Sequence, residues 1–205
     1  MQNSFYKRYG KRLLDIVISI IGLIVLLPFF IVIGVLIKVD SKGPILFRQI
    51  RVGKDFKPFF LYKFRTMIVG ADKIGPLVTR DYDPRITKIG RFLRKTKLDE
   101  LPQLFNVLMG DMSVVGPRPE VEKYVEAKKD DYKFIITIKP GITDYAAIEF
   151  TDEEEILAKY ENIDEGYIKE ILPKKIELYK RYIKEVSFMV DMKIIAMTLY
   201  KIIKR

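Results

Sequence analysis

Residues 16–37 form a stretch of twenty-two uncharged residues, and this stretch restricts the possible folds of the chain more than any other feature. About 20 apolar residues make a helix long enough to cross a bilayer, so we predict a membrane segment here. Pro28 lies near its middle, where a missing backbone N–H bends a helix, and basic residues flank both ends, so charge gives no direction of crossing. A Pro-kinked straight span and a re-entrant helix that enters and leaves by one face remain equal alternatives on these features.

The composition narrows the chemistry that the chain can perform. Its 205 residues carry a formal net charge of +10 and include neither Cys nor His, which excludes disulfides, thiol chemistry and imidazole-activated nucleophiles. Any catalysis must therefore use carboxylates, hydroxyls, Lys, Arg or an oxygen-ligated metal such as Mg²⁺. Residues 42–97 hold fifteen basic and four acidic residues, whereas residues 98–165 hold seven basic and seventeen acidic residues. This arrangement favours an anionic substrate or, alternatively, anionic lipid at a membrane surface.

An acidic pair precedes a short predicted helix in the middle of the chain. Residues 101–108 place four apolar side chains on one helical face, and Gly110 stands where a C-terminal cap is expected. Asp99 and Glu100 then lie at the N-terminal end, where free amides and the helix dipole favour negative charge and attract phosphate. The simple interpretation is that Asp99 caps the helix and Glu100 is a solvated neighbour, and the alternative is a functional acidic pair.

Four basic side chains are candidates for binding an anionic group. Lys63 and Arg65 alternate with apolar neighbours, as on one face of a strand. Arg118 lies between two prolines, which fix the backbone so that its guanidinium can hold a phosphate through two parallel hydrogen bonds. Arg85 follows an Asp-Pro turn ahead of a basic helix predicted over 87–97. Each also has a simpler interpretation as a solvated or turn residue.

Two later segments give further expectations. Residues 134–138 alternate in polarity like a strand. Residues 188–205 mix apolar with Lys and Arg side chains, a pattern typical of a helix lying in a membrane interface, with packing against the core as the competing interpretation.

Short motifs follow one another in order over nearly the whole chain. They are Lys11-Arg12-Leu13-Leu14-Asp15, Pro28, Tyr62-Lys63-Phe64-Arg65-Thr66-Met67, Asp83-Pro84-Arg85-Ile86-Thr87, Leu98-Asp99-Glu100-Leu101-Pro102-Gln103-Leu104, Gly110-Asp111-Met112-Ser113, Gly116-Pro117-Arg118-Pro119, Pro140-Gly141-Ile142-Thr143, Ser187-Phe188 and Asp191-Met192-Lys193-Ile194. Each motif alone is unspecific, but the combination resembles the bacterial sugar transferase family, the small monotopic phosphoglycosyl transferases.

The resemblance implies a reaction and roles for particular residues. Asp99 would attack the sugar-proximal phosphorus of a nucleotide diphosphate sugar, most often a UDP-sugar, and keep the phosphosugar covalently. Glu100 would hold Mg²⁺, and a polyprenol phosphate in the membrane would then take the phosphosugar, which starts a glycoconjugate. The candidates for a cation clamp around the phosphates are Lys63, Arg65, Arg85 and Arg118.

The resemblance also implies an α+β fold in two regions. Residues 1–40 would form the basic N-terminus and a re-entrant membrane helix kinked at Pro28. Residues 41–205 would form a compact, mainly helical catalytic domain with a small β element, interfacial amphipathic helices and an amphipathic C-terminal tail. The protein would be monotopic in the bacterial inner membrane, with this domain on the cytoplasmic face.

Some expectations stay open. The family usually continues Gly-Trp-Ala-Gln where this chain has Asp144-Tyr145-Ala146-Ala147, so the sugar is left unspecified. A non-catalytic membrane-surface adaptor that binds anionic lipid is the alternative function, and a family member without activity is a third. We expect membrane lipid and no nucleic acid among the partners, and a homo-oligomer is one alternative for the assembly.

Overall fold

The structure is a computed structural model that describes residues 5–71, 74–75, 83–150 and 153–204. It is mainly helical with two small sheets, in agreement with the predicted α+β class. Residues 1–4 of the first predicted region, and residues 72–73, 76–82, 151–152 and 205 of the second, lie outside the described residues. A π-helical turn, Tyr6–Gly10, runs directly into the long helix α1, Lys11–Asp40.

The remaining elements follow in chain order. They are β1 (Leu46–Val52), β2 (Pro58–Phe64), α2 (Lys88–Lys95), a 3₁₀ turn (Leu98–Glu100), α3 (Gln103–Met109), β3 (Ser113–Val115), α4 (Glu122–Ala127), α5 (Lys129–Ile135), β4 (Gly141–Thr143), α6 (Tyr145–Glu149), α7 (Glu153–Leu157), α8 (Ile163–Gly166), a π-helical turn (Tyr167–Ile171), α9 (Leu172–Glu185) and α10 (Phe188–Lys204). β1 pairs with β2 antiparallel, and β3 pairs with β4 parallel.

Helix α1 is continuous through Pro28 and packs only a narrow stripe of its surface against the rest of the protein. Within the described part of the chain, the helical stretch 6–40 is the one that is long and apolar enough to cross a membrane. Both of its ends are nevertheless bound to the folded body. Asp15 Oδ1 accepts hydrogen bonds from Ser113 Oγ at 2.9 Å and from the Val114 N–H at 2.8 Å, and Asp40 Oδ2 accepts one from the Ile89 N–H at 3.0 Å.

The first and last described helices are joined by a buried polar cluster. Lys11 Nζ contacts Asp191 Oδ2 at 2.7 Å and the Tyr182 hydroxyl at 2.9 Å, and the same Asp191 carboxylate accepts from the Tyr6 and Tyr182 hydroxyls. These contacts satisfy a carboxylate that is fully enclosed, as a buried charge requires. α10 is thereby fixed beside α1.

The rest of α10 confirms packing against the core for one face, and its position in a membrane interface stays a prediction. Ile194 is fully buried in the core, whereas Met189, Leu199 and Ile203 are exposed on other faces. One face of the helix packs, and the remainder keeps apolar side chains outside the protein.

The strand predicted over 134–138 is wrong. Helix α5 reaches Ile135, and Tyr132 and Ile135, three residues apart, are the side chains that it buries. Lys133 also contacts Asp130 at 2.8 Å across one helical turn. The short polar alternation therefore lies at the exposed end of a helix, where it does not determine the backbone.

Candidate active site

A sharp change of backbone direction places the acidic pair. Thr87 caps α2 by accepting from the Gly90 N–H at 3.0 Å, and a Cβ at Gly90 would lie 2.0 Å from the Thr66 carbonyl oxygen, so only glycine permits this approach to the chain beyond β2. After α2, Lys97 adopts a left-handed conformation with a φ of 58°. Such a conformation is uncommon outside glycine, and it turns the following Leu98–Glu100 segment inward.

Asp99 is buried without serving as a helix cap. α3 begins at Gln103, and no side chain caps its first turn, so the simple capping interpretation of Asp99 is wrong. Asp99 Oδ1 is fully enclosed and has no hydrogen-bond partner among the described residues. Burial raises the pKa of Asp99, and although Lys63 opposes this change, the negative charge of Glu100 adds to it. The carboxylate is therefore poorly solvated and more basic than an exposed one.

Glu100 has the opposite environment. Its Oε1 accepts from Lys63 Nζ at 2.9 Å and from Arg118 Nη2 at 2.6 Å, and its Oε2 accepts from Arg118 Nη1 at 3.3 Å. Burial by itself would raise the pKa of Glu100, but the charges of Arg118 and Lys63 outweigh it and hold the pKa well below its usual range. Glu100 is thus an ionised carboxylate that is hydrogen-bonded by the guanidinium group of Arg118 and the ammonium group of Lys63.

Strand β2 brings Lys63 to this pair. The side chain of Asn106, on α3, donates to the Phe60 carbonyl at 2.7 Å and accepts from the Tyr62 N–H at 3.0 Å, which fixes the strand against the helix that follows the acidic pair. Sequence reasoning missed Asn106, although a polar residue in an apolar helical stretch was a usable signal. The predicted cap is confirmed, because Gly110 ends α3 in a left-handed conformation.

Arg118 is positioned through its backbone as well as by the adjacent prolines. Its N–H donates to Asp144 Oδ2 at 2.9 Å, and Asp144 Oδ1 accepts from the Ala147 N–H at 2.6 Å as the N-cap of α6. Burial raises the pKa of Asp144 to about 6. The residue that departs from the family pattern therefore has a defined structural role, which is to join Arg118 to α6.

The other two clamp candidates lie elsewhere. The Arg65 guanidinium donates to the Pro44 carbonyl at 2.6 Å, the Ser41 hydroxyl at 2.6 Å and the Ser41 carbonyl at 2.9 Å. β2 ends at Phe64, so Arg65 is not held on the same strand face as Lys63. The Arg85 guanidinium pairs with Asp83 at 2.6 Å and donates to the Ala71 carbonyl at 2.7 Å. Neither arginine lines the cavity beside Asp99.

A cavity of about 500 Å³ opens beside the acidic pair. One part of its lining is charged and includes Lys63, Asp99, Glu100 and Arg118. Another part is apolar and comes from the two helices with the most exposed hydrophobic surface, namely α1 and α10. Its apolar lining residues from these helices are Ile18, Ile195, Leu199 and Ile202. The cavity can therefore bring a polar, charged ligand and an apolar chain to the same carboxylates.

Sequence reasoning also missed further polar residues in the lining. They are Arg51, Glu120, Glu153, Tyr167 and Lys175. They lie in five separate segments, so no local motif connects them.

The acidic pair can contribute to a metal site only together with a ligand. Among the described residues, no three Asp or Glu side chains gather as metal ligands. Glu100 Oε2 accepts a single long hydrogen bond, and Asp99 Oδ1 accepts none from these residues. Mg²⁺ commonly uses one or two carboxylates plus phosphate oxygens, so the residues present fit a Mg²⁺ that is completed by a phosphorylated substrate.

Comparison with known proteins places the chain in a family. A UDP-glucose:undecaprenyl-phosphate glucose-1-phosphate transferase of Klebsiella pneumoniae is 42% identical over 195 residues, which cover 93% of this chain and 39% of that protein. The protein of the same name from Escherichia coli (strain K12) is 40% identical over 203 residues, with coverages of 97% and 41%. An undecaprenyl-phosphate galactose phosphotransferase of Salmonella typhimurium is 42% identical over 161 residues, with coverages of 70% and 34%.

The chain thus spans about two fifths of the length of the first two relatives. The family model described as bacterial sugar transferase matches residues 6–205. The chain belongs to the bacterial sugar transferase family.

Proposed function

We propose that this protein is a phosphoglycosyl transferase that moves a sugar-1-phosphate from a UDP-sugar to a polyprenol phosphate in the membrane. The observation that carries the proposal is Asp99, a buried carboxylate that lines a cavity, has an oxygen without a partner among the described residues and adjoins a clamped Glu100. The names of the relatives, which include UDP-glucose and undecaprenyl phosphate, support the same substrates.

The reaction would proceed in two displacements at phosphorus. An oxygen of Asp99 attacks the sugar-proximal phosphorus, the bond from this phosphorus to the UMP oxygen breaks, and UMP leaves with the electron pair. The phosphosugar remains on Asp99 as an acyl phosphate. A phosphate oxygen of the polyprenol phosphate then attacks the same phosphorus, the bond to Asp99 breaks, and the polyprenol diphosphate sugar leaves the free carboxylate.

The surrounding residues supply what these steps need. The desolvated, basic carboxylate of Asp99 is an effective nucleophile because no hydrogen bond to Oδ1 must be broken first. Lys63 and Arg118 provide fixed positive charge for phosphate oxygens in a site shielded from water. We propose that Glu100, with oxygen atoms of the substrate, holds Mg²⁺, which supplies additional positive charge for the diphosphate when bound.

We further propose a monotopic arrangement in which α1 is re-entrant and both of its ends face the cytoplasm. At 1.5 Å per residue, thirty helical residues extend about 45 Å, more than the roughly 30 Å hydrocarbon core. Because Asp15 and Asp40 both bind parts of one folded body, a straight crossing would draw that body into the bilayer. A helix that bends at Pro28 and returns to its side of entry avoids this cost.

The topology can be tested by labelling. The chain has no native Cys, so Asn3→Cys and Lys42→Cys each introduce a unique thiol. In intact cells treated with a membrane-impermeant reagent, both thiols are expected to be protected. Labelling of one of the two would overturn the re-entrant arrangement.

The catalytic proposal is tested with purified protein, Mg²⁺, polyprenol phosphate and a panel of UDP-sugars. UMP release is expected for at least one sugar, and Asp99→Asn should abolish it. Asp130→Asn, a matched change at an exposed residue of α5, should leave it intact. Intact mass measured without polyprenol phosphate should rise by one phosphosugar in the native protein and not in Asp99→Asn. No UMP release across the panel would favour the membrane-surface adaptor.

A further inference from the structure

A second group of charged side chains lines the same cavity and has no part in the phosphate chemistry proposed above. Glu120 Oε1 accepts from the Tyr167 hydroxyl at 2.6 Å, and this hydroxyl also lies 3.3 Å from Lys175 Nζ. Lys175 in turn pairs with Glu153, and Arg51 approaches Glu120 Oε2 at 3.7 Å. We call these five residues the Glu120 wall.

The Glu120 wall is continuous with the phosphate-binding part of the cavity. Arg51 donates to the carbonyl of Pro119, the residue between Arg118 and Glu120. The wall and Asp99 line one cavity, so a ligand bound at Asp99 can extend onto the wall.

The two parts of the cavity differ in charge. Around the acidic pair, Lys63, Lys97 and Arg118 outnumber Asp99 and Glu100, which suits phosphate. The Glu120 wall holds two cationic and two carboxylate side chains and is neutral as a whole. A charge-balanced polar surface suits an uncharged ligand that forms hydrogen bonds.

Stability alone is a weak explanation for the wall. Buried ion pairs add little to folding because desolvation offsets their attraction, yet Glu120 and Lys175 are only 3% and 2% exposed. Glu120 Oε2 can also accept a hydrogen bond from a ligand, since its 3.7 Å separation from Arg51 Nη1 is too long for a hydrogen bond. The paired rings of Tyr124 and Tyr167, with centroids 4.6 Å apart, add apolar surface to the same lining.

We propose that the Glu120 wall binds the uncharged sugar ring of the nucleotide sugar and selects among sugars. The inference rests on the function proposed above. Sugar hydroxyls donate hydrogen bonds to Glu120 Oε2, and the sugar ring lies against the rings of Tyr124 and Tyr167. A uracil base fits less well because its single imide N–H lies between two carbonyl oxygens, which carboxylates repel. A uronic acid is disfavoured because its carboxylate would face Glu120 and Glu153.

Glu120→Gln tests this role, with Glu122→Gln on the exposed surface of α4 as the matched control. The assay measures kcat/KM of UMP release for UDP-linked glucose, galactose, their N-acetylated forms and glucuronic acid, together with inhibition by UMP. Replacing the charged acceptor by a neutral amide weakens its hydrogen bond to the sugar, which predicts a decrease of about tenfold or more for the preferred sugar, with a changed ranking of sugars. Inhibition by UMP should stay unchanged, and the control should behave like the native protein.

Tyr167→Phe is the second variant, because it removes one hydroxyl from the wall and keeps the packing of the ring. It should change the ranking in the same direction as Glu120→Gln, with a single cooperative melting transition well above the assay temperature as the check on folding. An unchanged ranking in both variants would overturn the proposal, as would an equal loss for all sugars together with weaker UMP inhibition. If the native protein releases no UMP from any sugar, the underlying function fails instead.

Discussion

The two adjacent carboxylates at the centre of the site should respond to neutralisation with opposite changes in stability. Asp99 is enclosed with an unpaired oxygen, and burial raises its pKa, so its ionised form opposes folding. Glu100 is largely but not fully buried, and Arg118 and Lys63 stabilise its charge and depress its pKa. Asp99→Asn is therefore expected to stabilise the protein while abolishing UMP release, and Glu100→Gln to destabilise it.

The expected magnitudes follow from the contacts. Replacing the charged Asp99 oxygen that lacks a partner by a neutral amide relieves a desolvation penalty of about 1–3 kcal/mol. Removing one partner of a buried ion pair costs about 3–5 kcal/mol. Since each kcal/mol shifts the melting temperature by about 2–4 °C in a chain of this size, Asp99→Asn should raise it by about 2–12 °C and Glu100→Gln lower it by about 6–20 °C.

The pH dependence supplies a check on the cause. Because the pKa of Asp99 is higher in the folded state than its ordinary 3.8, protonation favours folding, so the advantage of Asp99→Asn grows as the pH rises from 3.8 through the folded pKa and shrinks towards pH 4. Glu100 has a folded pKa below its ordinary 4.5, so the deficit of Glu100→Gln persists at pH 7 and decreases only in acid.

The measurement is thermal unfolding in detergent, followed by circular dichroism at several pH values. Native protein and the exposed Asp130→Asn variant serve as references. A loss of stability in Asp99→Asn at pH 7 comparable to that in Glu100→Gln would refute the reasoning.

Three other predictions concern the arginines and the residue that joins Arg118 to α6. Arg118→Lys removes the two-pronged contact with Glu100 and should slow UMP release by about tenfold or more in steady-state assays. Arg65→Lys loses main-chain contacts at Ser41 and should reduce the free energy of unfolding by about 2 kcal/mol, measured by denaturant titration, while UMP release per folded molecule stays unchanged. Protonation of Asp144, whose pKa is about 6, weakens its contact with the Arg118 N–H, so part of the activity lost at acid pH should come from Asp144 and be absent in Asp144→Asn, while protonation of the nucleophile Asp99 accounts for the remainder; an unaltered pH profile in Asp144→Asn would contradict the assignment.

Composition and local pattern predicted the parts of the site that stand in recognisable short motifs. The uncharged run predicted α1, and the acidic pair, Lys63 and Arg118 were all named as candidates that the structure then brings together. The strand pattern failed two residues after Lys63, at Arg65, because alternation predicts which face a side chain lies on but not the residue at which the strand ends.

Other features depended on interactions that a local pattern does not contain. Capping was the simple alternative for Asp99 because an acidic residue before an apolar helix usually caps it, whereas the left-handed Lys97 turns this carboxylate into the cavity. The Glu120 wall joins positions up to 124 residues apart, since it extends from Arg51 to Lys175. Contacts at such separations arise only when the helices of the core have assembled.

The ion pair between Lys11 and Asp191 limits the order in which the parts of a newly made chain can fold. Asp191 follows Lys11 by 180 residues, so α1 is translated well before its acidic partner. Until then, the ammonium group of Lys11 has no carboxylate from α10 to neutralise it. The long apolar helix is therefore complete before this contact with α10 can form, and a ribosome stalled before α10 would leave α1 without it.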